Sequence, residues 1–178
     1  GEHGTLYLEL PRDWNSYDVL YVTAVNQYGR NINTWSWNIT QPKAFSERTV
    51  TSGTEKINTS ENETHLSVTS GTTELSFEKS SGLLTGLKVN GKKISFNGMH
   101  FAGMNRSFSG MKHFYKDNNY IIELTYDSAA YATWTMMRGG WIKLDYGFSP
   151  KGSLDYAGIS FTYPEELVTG ANLMSDGP

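Results

Sequence analysis

An antiparallel all-β fold is what this sequence predicts, and three observations predict it. Apolar residues alternate with polar ones in segment after segment, the period of a half-buried strand. Asn90-Gly91 separates two such segments and supplies the two positive-φ positions of a type I′ hairpin turn, the strongest short-range hairpin signal. The aromatic share is 13%, with Tyr 11, Phe 8 and Trp 5 in 178 residues, the residue types that fill sheet faces and sandwich cores. No window carries a convincing helical repeat; only Pro164-Glu-Glu-Leu167 suits a single turn.

Each element follows in order. Leu6, Leu8 and Leu10 place Thr5–Leu10 on a strand that Pro11 ends. Asp18–Val25 is a second strand, closed by a turn over 26–29, and Asn33–Thr40 a third with Trp35, Trp37 and Ile39 on one side. Residues 41–64 have few bulky apolar residues and no period, and read as an interdomain linker with a short edge strand at 48–51. Strands then resume at Leu66/Val68 and Leu75/Phe77. Leu87/Val89 enter the Asn90-Gly91 turn and Ile94/Phe96 leave it. Residues 97–114 show no clean period. Alternation returns at Tyr120–Tyr126, Ala132–Met136, Ile142–Phe148 and Ala157–Tyr163. The predicted organisation is residues 1–41 as strands of one sandwich, 42–63 as linker and 64–178 as part of a second. Three strands cannot close a core by themselves, so both ends read as cuts through larger domains.

Composition narrows the function. Net charge is -3 with no basic stripe, which argues against a nucleic-acid partner. No apolar run is long enough to span a membrane as a helix. Without cysteine, thiolate metal sites and cysteine nucleophiles are excluded, and the compartment stays open. Four glycosylation-type triplets begin at Asn38, Asn58, Asn62 and Asn105, the frequency chance gives in an Asn- and Thr-rich chain. His3, His65, His100 and His113 are scattered without ligand spacing, so neither metal nor cofactor is expected. No Gly-x-Ser-x-Gly elbow and no phosphate-cradling loop is present.

Glycoside hydrolysis needs two carboxyl groups about 5 to 10 Å apart. Asp145, Asp155, Glu165, Glu166 and Asp176 are available, and nothing in their spacing lifts a pair above solvated surface. Sugar rings stack on exposed aromatic faces. Trp141, on the polar face with Lys143 and Asp145, and Trp14, in a loop, are the candidate saccharide-binding residues; Trp35, Trp37 and Trp134 read as core or interface.

The segments 20–25 and 32–37 resemble the last strands of the immunoglobulin-like domain that follows the catalytic barrel in family-2 glycoside hydrolases of the β-galactosidase type. Leu75-Ser-Phe-Glu-Lys-Ser-Ser-Gly-Leu-Leu-Thr-Gly-Leu-Lys-Val-Asn-Gly91 resembles the opening of that family's C-terminal sandwich, whose fold is galactose-mutarotase-like. Gly158-Ile-Ser-Phe161 and 172–178 are similar to later segments. Two stretches depart from the pattern: Leu173-Met-Ser-Asp-Gly-Pro178, which lacks the family's Trp and first Gly, and Phe101-Ala-Gly-Met-Asn-Arg106. The resemblance implies an accessory region of a glycosidase. Its partners would be the parent's catalytic barrel, carbohydrate and a second copy of the chain, since a cut sheet exposes edges. The catalytic glutamates would lie outside these residues, so no catalytic residue is assigned. A periplasmic or secreted parent fits, and a cytoplasmic one stays open. Two other readings follow from the residues: an independent carbohydrate-binding module using a Trp platform, and a mutarotase-like catalyst needing a paired histidine and carboxylate, for which His100 and His113 are available.

Overall fold

The computed structural model describes residues 3–51, 53–150 and 152–170. They fall into two compact units, one ending at residue 51 and the other starting beyond it. The 172–178 segment and Asp176 lie outside the described residues.

The first unit is a single hairpin with a helix. Strand β1 (Val19–Val25) pairs antiparallel with β2 (Asn31–Asn38), in register Val22↔Trp35 and Leu20↔Trp37. Helix α1 covers Pro42–Thr49. Arg48 reaches Asp18 at 2.6 Å and holds its carboxyl below the ordinary carboxylate range. Two expectations are corrected here and a third is narrowed. Residues 5–10 form no strand: among the described residues nothing pairs with them, and Leu6 is 70% exposed, so alternation alone has no ladder to join. Residues 42–49, read as linker and in part as an edge strand, are helical. Pro42 opens the helix at its first turn and Lys43 and Glu47 pair at i,i+4; a polar helix leaves no apolar stripe to read. Of the two readings of Trp35 and Trp37, core or interface, half exposure removes the core and leaves the interface, because a two-stranded sheet supplies no second layer.

The second unit is an antiparallel β-sandwich. Strands β3 (Ile57–Glu61), β4 (His65–Ser70), β5 (Thr73–Glu78), β6 (Leu84–Val89), β7 (Lys92–Ile94), β8 (Asn97–Ala102), β9 (Phe108–Lys116), β10 (Asn119–Tyr126), β11 (Tyr131–Met136), β12 (Ile142–Gly147) and β13 (Gly158–Thr162) build two sheets. One runs β13-β8-β6-β5-β4-β3 with β7 beside β6; the other runs β12-β11-β10-β9. β3 lies in the stretch read as linker. Its Ile57 is buried, and the ladder with β4 from Ile57↔Ser70 to Glu61↔Leu66 makes it a strand despite its polar sequence.

Period-two burial creates the core. Leu66, Val68, Leu75 and Phe77 face inward from one sheet; Ile122, Leu124, Ala132, Trp134 and Met136 face them from the other. The Phe77 and Trp134 rings meet edge to face, centroids 5.5 Å apart. At one margin the sheets are tied by Tyr115, whose hydroxyl donates to the Ile57 carbonyl at 3.1 Å. The Asn90-Gly91 turn has φ of 53° and 74°, and Val89 pairs with Lys92 across it, the two-residue hairpin that was expected. Asp117-Asn118 forms a second tight turn of positive φ between β9 and β10. Glu165–Leu167 is a single 3-10 turn, as its Pro-Glu-Glu sequence predicts.

Candidate functional site

The second unit carries a recess of about 480 Å³, within the usual range for small-molecule sites. It is built by the turn between β8 and β9 and by the Ser80–Leu83 turn. Gly103 makes the first turn: its φ is +73°, and a Cβ there would collide with the Tyr156 carbonyl oxygen. The chain then presents Met104, Asn105 and Arg106 to the recess. Phe101, Phe108 and Tyr126 supply aromatic walls, with Tyr126 meeting Phe101 and Phe108 edge-on at 4.9 and 5.8 Å. His100, Ser80 and Ser81 add polar groups.

Arg106 dominates the electrostatics. Its side chain is 8% exposed. Nη2 donates to the Ser149 carbonyl at 2.8 Å and touches the Met104 thioether at 3.8 Å, a weak acceptor; Nη1 stands 3.7 Å from Asp127. Among the described residues Nε has no partner, and neither does the buried Tyr126 hydroxyl. Burial raises the Tyr126 pKa, so the phenol keeps its proton and remains a donor. Arg106 Nε and the Tyr126 hydroxyl both belong to this recess, whereas Ser70 Oγ and Trp134 Nε1, likewise buried without partners among the described residues, do not; leaving such a group unmade costs about 1–3 kcal/mol. Among the described residues no Asp or Glu lines the recess.

A second cluster joins the sheets elsewhere. His113 Nδ1 lies 2.6 Å from the Tyr120 hydroxyl, and Nε2 lies 3.5 Å from Glu61 Oε2. Lys79 bonds Glu61 at 2.6 Å and lowers its pKa; burial raises that of Tyr120. The mutarotase-like reading asked for a paired histidine and carboxylate. His113 has such a partner but does not line the Arg106 recess, whereas His100 lines that recess with no carboxylate partner among the described residues. The His113–Glu61 contact is thus a histidine–carboxylate pair away from the Arg106 recess.

Trp141 is 41% exposed and immediately precedes β12, the strand that carries the Lys143–Asp145 ion pair of 2.8 Å. Trp14, 45% exposed in a 3-10 turn, lines an apolar groove of about 210 Å³ in the first unit with Leu10, Pro11 and Tyr17. The two tryptophans therefore belong to different units and form no common platform within either. A third recess of about 320 Å³ has a basic rim of Lys56, Lys116 and Arg138 with Asp117. Glu165 and Glu166 sit together on an exposed turn. Among the described residues no group of three His, Cys, Asp or Glu could hold a metal, and no helix is long and apolar enough to cross a membrane. The sequence carries one signal at Arg106, its place in the 101–106 segment that departs from the β-galactosidase-type pattern its neighbours resemble.

No protein-family model matches this chain, and no curated protein matches it.

Proposed function

We propose that this chain is a non-catalytic accessory region of a β-galactosidase-like glycoside hydrolase, with a mutarotase-like sandwich that supports the enzyme and shapes its cleft. One observation carries the reading: the Arg106 recess, larger than the Trp14 groove and the Lys56–Arg138 recess, offers aromatic walls and hydrogen-bond donors of saccharide-binding type, yet no carboxylate among the described residues. Such a lining suits holding a sugar, and on this reading the two carboxyl groups that cleavage needs are supplied elsewhere in the enzyme. The exposed apolar residues of the first unit, Trp35, Trp37 and Ile32 among them, suit burial against further strands of an immunoglobulin-like domain. The chain incubated with a chromogenic β-galactoside is expected to give no turnover above buffer. Sustained hydrolysis removed by a carboxylate substitution within the chain would end this reading.

A carbohydrate-binding module is the second reading, favoured by the exposed rings of Trp14 and Trp141. It expects a saturable change in tryptophan fluorescence on adding neutral galacto-oligosaccharides, lost in Trp141→Ala or Trp14→Ala. A flat titration removes it.

A further inference from the structure

The geometry points to the Arg106 recess as a binding site for a carboxylate-bearing sugar ring, a uronic acid, with the carboxylate on the Nε/Nη2 edge of the guanidinium. This deepens the reading of the recess as a sugar-holding site.

Unmade bonds mark the place. Nε and Nη2 share one edge of the planar guanidinium, the edge that takes a carboxylate side-on through two parallel hydrogen bonds. In Arg106 this edge is underused: among the described residues the buried Nε has no partner, and Nη2, besides its bond to Ser149, meets the Met104 thioether at 3.8 Å, so a carboxylate reaches the edge only when a neighbouring side chain gives way. The contacts to Ser149 and Asp127 fix the plane of the group. Met is unbranched and adaptable, so its displacement by a carboxylate oxygen exchanges a weak acceptor for a strong one without moving the backbone. The Tyr126 hydroxyl, also without a partner, is a second donor at the same recess.

Charge favours an anion. Among the described residues lining the recess, Arg106 is the only one charged at neutral pH, apart from His100 when protonated. Asp127 outside it is half exposed, so water screens its compensation. The aromatic walls select a ring over a bare ion: Phe101, Phe108 and Tyr126 offer apolar surface for a sugar's C–H face, and Ser80 and Asn105 can bond its hydroxyls, while the Ser81 hydroxyl is already given to Glu78 at 2.5 Å. An anion held by charge alone has the basic rim of Lys56, Lys116 and Arg138 available instead.

Isothermal titration of the 178-residue chain with galacturonate, galactose and inorganic phosphate tests this. Galacturonate is expected to bind at least about tenfold more tightly than galactose, the return on a side-on charged pair. Arg106→Lys keeps the charge but not the fork, and is expected to lose about tenfold for galacturonate and much less for galactose, which makes no charged pair. Tyr126→Phe deletes a hydroxyl that has no partner among the described residues; it is expected to stay folded and to weaken galacturonate several-fold. Equal affinity for galactose and galacturonate overturns the inference and leaves the sugar-holding reading intact. Phosphate binding as tightly as galacturonate, galacturonate binding indifferent to both substitutions, or no binding of galacturonate by the folded chain also overturns it. The accessory reading fails on hydrolysis instead, so the two failures are distinguishable.

Discussion

Phe77→Ala is expected to destabilise the second unit by about 3–5 kcal/mol, the range for truncating a large buried aromatic residue. Phe77 is fully buried and brings β5 against β11, its ring and that of Trp134 meeting edge to face. Truncation removes apolar burial from one sheet and an aromatic partner from the other, and the surrounding strands cannot collapse into the space without breaking their ladders. At about 3–5 °C per kcal/mol for a unit of this size, the melting temperature should fall by roughly 10–20 °C. Urea unfolding followed by fluorescence and circular dichroism measures this. Phe114→Ala is the control, since Phe114 lies on β9 and is 40% exposed; its cost should stay within about 1 kcal/mol. Equal costs for the two would contradict the placement of the core.

The second large effect is at Gly103. Gly103→Ala drives a methyl group into the Tyr156 carbonyl oxygen at a φ of +73°. The backbone conformation alone costs an L-residue about 1 kcal/mol. The clash is with main chain, so the β8–β9 turn must move, and the expected total exceeds about 2 kcal/mol. Gly91→Ala separates the two terms: its φ is +74° but open space surrounds the added methyl, so only the backbone cost of about 1 kcal/mol should appear. The Gly103 turn carries Met104 and Arg106, so sugar binding at the recess should weaken in Gly103→Ala and persist in Gly91→Ala. Indistinguishable melting curves would mean that the turn does not pack on Tyr156.

These two sites show how far the sequence could be read. Phe77 lies in a segment of strict alternation, and alternation is a local signal, so the β5, β10 and β11 faces were legible, as was the Asn90-Gly91 turn. β9 was not, because aromatic residues point both ways from it: Tyr115 toward β3, Phe114 toward solvent, with the polar His113 on the core-facing side. Asp117-Asn118 was the overlooked clue, two residues suited to positive φ at a hairpin tip. Residues 5–10 failed the other way, with a clean period and no neighbouring strand to use it. The recess was illegible for a different reason. Arg106 sits in a Gly-, Met- and Asn-rich turn, and what makes it chemically distinct is its burial against Ser149 and Asp127, far along the chain. Neither Trp141 nor Trp14 lines that recess, and sequence chemistry favoured them because a tryptophan announces a sugar platform by residue type alone.

The most direct measurement is a chemical-shift titration of the isotope-labelled chain with galacturonate, observing backbone amides and the arginine Nε–H signals. The expected result is a saturable shift of the Arg106 Nε–H, with shifts in the amides of 103–106 and in the neighbouring Ser81 and Leu83, and little change at Trp14 or Trp141. Perturbations confined to Trp14, Trp141 or the Lys56–Arg138 rim, with the Arg106 signal unmoved at saturation, would contradict the assignment of this recess as the sugar-holding site.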